Sequence, residues 1–378
     1  MVESTETDLK QTSSETRDIN NSPSTPKDQI VMDPIFTPPA RKTNNIPIEL
    51  VRATERLRIK EQEGTFKPTL AEENDDAKID CLRPCSTRLL ATLEFDGSVK
   101  KLPGKISEYI SDIFSYLRSL EDNFHIPDNF LSGHATTPRM RAILIEWIIE
   151  VQMKYKMCPE TLHLCVWIVD RYLQETKSVG RKCLQLVGTS ALLIASKYEE
   201  MDIPDVETFK NLTDYAFSNR QILKMERQLL RAVDFSLGRP PPLIFLRRYN
   251  RIAQTRKEHH FLGMYLLELG LMEPKMSPVK PSLQAAAACC LSMGILDGTD
   301  DFSKLWVPAL ARETKYTYTD FEGAVAILVE IIGKCDMPFY KTVWRKYAKP
   351  KYGKISVNLK LRDFVLEMTA DETRSSTD

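Results

Sequence analysis

Two short stretches carry residue types of a phosphate-binding loop, Gly104-Lys105-Ile106-Ser107 and Gly353-Lys354-Ile355-Ser356. Such a loop also needs an upstream glycine to bring backbone N–H groups onto the phosphates, and both stretches lack it. No glycine-rich kinase loop and no HRD-type or DFG-type motif occurs. His259 and His260 are adjacent, so on a helix they point to different faces, and His125, His134 and His163 do not fall at metal-ligand spacing. Cys81 and Cys85 have no second pair or neighbouring His to complete four ligands. Cys158, Cys165, Cys289 and Cys290 lie in apolar helical contexts, where a thiol packs as a small hydrophobe. Without a secretory signal, these and the remaining Cys183 and Cys335 read as reduced thiols. The expectation is a chain with no catalytic centre, no metal and no cofactor.

What chemistry remains is recognition. The 378 residues include 52 basic and 52 acidic side chains, so no overall field draws the chain onto nucleic acid or an anionic membrane. The longest apolar stretches, such as Ala285 to Leu291, fall short of the ~18–20 residues that cross a bilayer. A soluble intracellular protein is expected.

The elements that must position any recognition surface begin late in the chain. From Met1 to about Pro103 there is no Tyr or Trp, and apolar residues rarely recur with a helical period. Such a segment buries too little surface to offset its ordering entropy, so residues 1–103 read as a disordered regulatory tail. Ser22-Pro23, Thr25-Pro26 and Thr37-Pro38 are minimal proline-directed phosphorylation sites, or ordinary turn chemistry. Glu49 to Lys60 has a short helical tendency.

From Glu108 the pattern is amphipathic and helical, interrupted by Pro, Gly and Asn signals, with little period-two alternation. Ile110, Ile113, Phe114, Leu117 and Leu120 mark a first helix. Further helices are expected at about 139–156, 159–175, 181–200, 206–211 and 218–232, and the last five end at Gly238-Arg239-Pro240-Pro241-Pro242, a stiff connector. Periodicity then resumes at about 243–255, 257–269, 280–296, 301–313 and 320–334. Leu184-Gln185 in the first half is echoed by Leu283-Gln284, and Thr213-Asp214-Tyr215 by Thr314-Lys315-Tyr316. An offset of roughly a hundred residues suggests a duplicated five-helix unit. The fold class is therefore all-α: an N-terminal helix and a first unit over 104–238, then a second unit and C-terminal extension over 239–378.

Met140-Arg141-Ala142-Ile143-Leu144-Ile145-Glu146-Trp147 resembles the first helix of the cyclin box, and a second match follows at Leu184-Gln185-Leu186-Val187-Gly188 and Ala195-Ser196-Lys197-Tyr198-Glu199-Glu200-Met201. The five box-defining positions of that family are filled by Arg141, Asp170, Leu186, Lys197 and Glu226. Phe235 to Arg248 is similar to the junction between the two boxes of B-type cyclins. The resemblance runs from about Ser107 to the 347–355 region.

It implies tandem five-helix cyclin boxes that bind and activate a cyclin-dependent protein kinase at the G2/M transition. Lys197, Tyr198 and Glu226 would contact the kinase. Arg141, on a helix rich in Met, Ile and Leu, needs a carboxylate if buried, and Asp170 is the natural one, as a structural pair. In the family, the positions of Met140, Ile143, Leu144, Trp147, Glu150, Leu184 and Gln185 form a shallow exposed groove for Arg-x-Leu-type substrate or inhibitor peptides. Leu144 and Trp147 would take the Leu, and Glu150 the Arg. Removal by ubiquitin-ligase machinery and a cell-cycle-dependent passage between cytoplasm and nucleus are also implied. The tail has no RxxL or KEN, however, and Arg56-Leu57-Arg58-Ile59 is a degenerate form at best. The alternative is a cyclin-fold transcription or scaffold protein with no kinase partner. Lys197, Glu226 and the Gly238–Arg248 junction favour the kinase.

Overall fold

Thr137 starts the helix around which the molecule is built: its side chain accepts a hydrogen bond from the Met140 N–H at 3.3 Å, and Pro138 occupies the first turn, where its missing N–H costs nothing. A computed structural model describes residues 106–299, 301–334 and 340–375. Among them every regular element is helical. The expected disordered tail, with Ser22, Thr25, Thr37, the Glu49–Lys60 segment and Arg56–Ile59, lies outside the described residues.

Helix α1 (Ile106–Leu120) is followed by a short 3-10 turn and then α2 (Pro138–Lys154), α3 (Pro159–Glu175), α4 (Arg181–Glu199), α5 (Val206–Leu212) and α6 (Asn219–Ala232). Beyond the connector come α7 (Pro242–Ile252), α8 (Lys257–Met272), α9 (Pro281–Asp297), α10 (Phe302–Leu305), α11 (Pro308–Thr314), α12 (Glu322–Gly333), α13 (Lys341–Tyr347) and α14 (Leu359–Ser375). The sequence expectation of one helix over 301–313 gives way to two short ones. Pro308 begins the second at its first position, and the Trp306 ring is held outside either helix, its indole N–H donating to Tyr316 O at 2.9 Å and the ring meeting Phe321 edge-on with centroids 4.7 Å apart. Pro242, read as connector, is the first residue of α7. Helices α13 and α14 were not expected as elements.

Residues Met140 to Gln152 of α2 are buried on every face, which marks a central helix rather than a surface one. It packs on α3 and α4 in the first half and on α8 and α13 in the second. Helix α9 plays the same part in the second half, and its run of Ala285–Ala288 and Cys289-Cys290 lets α7 and α8 approach closely.

The segment before α2 ties the halves together. Phe114 of α1 meets Phe245 of α7 edge-on with centroids 6.0 Å apart, and Phe124 meets Trp167 of α3 at 5.4 Å. Glu121 is buried at the start of α9, accepting from Ser282 N at 2.6 Å and Ser282 Oγ at 2.7 Å. Burial raises its carboxyl above the usual range even though those two hydrogen bonds pull the other way.

Candidate functional site

Helix α4 ends at the surface. Its small residues Ala191, Ala195 and Ser196 are fully buried against neighbouring helices, and the next two, Lys197 and Tyr198, emerge. Helix α6 begins with a reciprocal cap between Ser218 and Gln221, and its packing on α4 turns Glu226 toward Lys197. The ammonium and carboxylate, 29 residues apart in the chain, meet at 2.5 Å. The lysine side chain is 44% exposed and the glutamate 11%. Each satisfies the other before any partner arrives.

The segments that carry the pair also expose apolar side chains. Tyr198 is 53% exposed, and Met201 and Ile203 follow in the loop, also exposed. Phe235, 68% exposed, stands on a turn in which Asp234 and Phe235 both adopt left-handed backbone, φ 50° and 56°. Its N–H donates to Leu230 O at 2.8 Å and closes α6. Left-handed conformation is unfavourable for a bulky side chain, so the fold holds an aromatic ring in water at a conformational cost. Sequence reasoning placed Phe235 in the junction but gave it no docking role, because an aromatic ordinarily reads as core. Exposed aromatics on the same segments as one charged pair are the composition of a protein-docking surface.

The stripe read as an open peptide groove is a correction. Met140, Ile143, Leu144, Trp147, Leu184 and Gln185 are all buried, and so is Glu150. Leu144 is packed against Gly188 of α4, where a Cβ would stand only 2.7 Å from Leu144 Cδ1. Glu150 faces α13, accepting from Thr342 Oγ1 at 3.2 Å and pairing with Arg345 at 3.4 Å. The helix lies between the two halves, so its apolar stripe has neighbours that a one-face view could not supply.

Arg141 and Asp170 form a bidentate pair with both contacts at 2.6 Å. The arginine also donates to Leu271 O at 2.9 Å and to Ser277 Oγ at 3.1 Å, both in the second half. The pair is thus shared by both halves. Further buried pairs that the sequence did not announce do the same: Arg247–Glu160 at 2.7 Å and Lys346–Glu268 at 2.6 Å. Among the described residues no cluster of His, Cys, Asp and Glu could hold a metal ion. Burial pushes the Cys290 thiol up to about 12 and raises Cys165 and Cys289 as well, which keeps these sulfurs protonated. No described helix is long and apolar enough to cross a membrane.

Two successive helical units joined by a proline-rich connector, with the Arg141–Asp170 pair inside and the Lys197–Glu226 pair outside, match two family models: the cyclin N-terminal domain over residues 112–238 and the cyclin C-terminal domain over 240–360. The chain belongs to the cyclin family and folds as two tandem cyclin domains. Its relatives are mitotic B-type cyclins. It is 38% identical to G2/mitotic-specific cyclin-B1 of Xenopus laevis over 325 residues, covering 83% of this chain and 80% of that protein. With G2/mitotic-specific cyclin-B of Spisula solidissima it shares 41% identity over 268 residues, 71% of this chain and 61% of the relative. With cyclin-B2 of Oryzias latipes it shares 37% over 309 residues, 80% and 78% of the two chains. Among solved structures, a viral cyclin from herpesvirus saimiri has the same fold, with a TM-score of 0.51 and 19% identity over 58% of this chain and 96% of that one.

Proposed function

We propose that this chain is a mitotic regulatory subunit that binds a cyclin-dependent serine/threonine protein kinase, activates it and acts without catalytic residues of its own. The observation that carries the reading is the Lys197–Glu226 pair, with exposed Tyr198, Met201 and Ile203 following Lys197 in the chain and exposed Phe235 just past the end of the helix that carries Glu226. The B-type relatives support it. In this reading these residues dock beside the kinase helix that carries the glutamate partner of the catalytic lysine. Docking favours the conformation in which that internal ion pair is formed, so the interface shifts a population already available to the kinase. An obligatory activator needs an interface above ~1,000 Å², with the aromatics supplying most of the burial and the charged pair fixing orientation.

Recruitment of substrate or inhibitor peptides belongs to the same proposal with a changed geometry. The stripe from Met140 to Gln185 is closed, so a peptide arginine reaching Glu150 displaces Arg345, whose side chain is 45% exposed.

The direct test is Lys197→Ala with Glu226→Ala in the full chain, followed by co-purification and histone-kinase assay. Loss of bound kinase activity with a nearly unchanged Tm is expected, since a half-exposed ion pair contributes only ~0–1 kcal/mol to folding. Undiminished activity rejects the contact assignment.

A further inference from the structure

The two halves do not close completely on each other. Between them lies a pocket of about 30 Å³ lined by Arg141, His163, Asp170, Arg239, Ser277 and Gln284, among others. Its polar lining is unevenly satisfied. The Arg141 guanidinium is neutralised by Asp170, and Ser277 donates its hydroxyl proton to the same carboxylate at 2.8 Å. Gln284 spends its amide hydrogens on Met276 O and Val279 O. Two groups are left over. His163 is fully buried and neither ring nitrogen has a hydrogen-bond partner. Arg239, from the connector, has a buried Nε without a hydrogen-bond partner and forms no ion pair among the described residues.

Charge makes the pocket specific. Arg141 and Asp170 cancel and the imidazole is neutral, because burial and then the nearby Arg239 charge press the His163 pKa down to about 3. Burial likewise lowers Arg239 to about 10, although Glu121 and Asp170 oppose it at a distance. The lining therefore carries one uncompensated positive charge. Arg239 as a whole is only partly buried, but its Nε is closed off from water, and a buried donor without an acceptor is rare.

We infer that the pocket between the two cyclin domains is an anion site, in which one small monovalent anion of the halide class is held by the Arg239 Nε–H and a His163 ring N–H and helps to join the halves. The volume admits one such ion, or about two waters. Water would fill the space but leave the charge unanswered. The assignment does not depend on the kinase reading.

Crystals of the full chain soaked in sodium bromide should show an anomalous peak within hydrogen-bond reach of Arg239 Nε and His163. At constant ionic strength, replacing chloride by gluconate, which is too large to enter, should lower the Tm by about 2 °C or more. Arg239→Gln should abolish that difference, and His163→Leu should reduce it if the first variant does not fold. Absence of the bromide peak overturns the proposal. So does a peak accompanied by a Tm that follows ionic strength alone.

Discussion

Lys346 Nζ lies 2.6 Å from Glu268 Oε1, and both side chains are closed off from water. Gln152 of α2 accepts a second hydrogen bond from the lysine at 3.0 Å, and Tyr347 donates its hydroxyl to Glu268 at 2.9 Å. One buried ammonium on α13 thereby fastens the end of the second domain to α2 of the first. Thr342, one turn earlier, adds a hydrogen bond to Glu146 of the same helix at 2.9 Å.

Lys346→Met should therefore strand a buried carboxylate and lower stability by ~3–5 kcal/mol. The double variant Lys346→Met, Glu268→Met removes both charges and should recover a large part of that loss, because the desolvation of a buried pair consumes most of its Coulombic gain. Urea midpoints of the two single variants, the double and the parent close the cycle. Single-variant losses that simply add in the double would show that the pair is not coupled.

Much of this architecture was legible beforehand, and the exceptions have a common cause. Helices α3, α4 and α12 begin and end within about two residues of expectation because each has its own apolar period, and α3 has a proline at its start as well. Arg141 and Asp170 could be paired from one fact, that a guanidinium among Met, Ile and Leu demands a carboxylate. What sequence could not supply was long-range burial. Whether Leu144 and Trp147 face water or protein depends on α4, α8 and α13 packing round α2. Lys346 looks like one of several lysines in a basic stretch from Lys341 to Arg362, and nothing local distinguishes it from exposed Lys349 and Lys351. Phe235 escaped for the opposite reason, since an aromatic ordinarily reads as core.

Gly188 is required by a close approach rather than by its backbone conformation. An added Cβ would sit 2.7 Å from Cδ1, 3.2 Å from Cγ and 3.3 Å from Cδ2 of fully buried Leu144. The branched end of that leucine has nowhere to move in a packed core. Gly188→Ala gains about 1 kcal/mol of helix propensity and loses ~1–3 kcal/mol to overpacking, so a net destabilisation is expected. In a Leu144→Ala background the same substitution fills space instead. Thermal unfolding of the four proteins should show Gly188→Ala lowering the Tm in the parent and not in Leu144→Ala.

Glu199, between Tyr198 and Glu200 at the end of α4, ties stability to pH. Burial raises its pKa to about 7, with the charges of Glu160 and Glu200 adding to the effect. Glu200 is held in place by the start of α3, accepting from Cys158 N at 2.7 Å and from the Thr161 hydroxyl, so it cannot swing away. The ordinary value for this side chain is 4.5. Below that pH both folded and unfolded chains carry the proton and nothing is lost. Between 4.5 and about 7 the folded chain keeps a proton that the unfolded chain releases, so this group's contribution to stability falls as pH rises, and above about 7 the penalty is complete. Allowing for partial exposure of the side chain, that penalty is on the order of 1–2 kcal/mol. Glu199→Gln removes it, so the variant should unfold at a higher Tm than the parent at pH 8 and at nearly the same Tm at pH 5. An equal gain at both pH values would mean that the amide improves packing and that the carboxylate titrates normally.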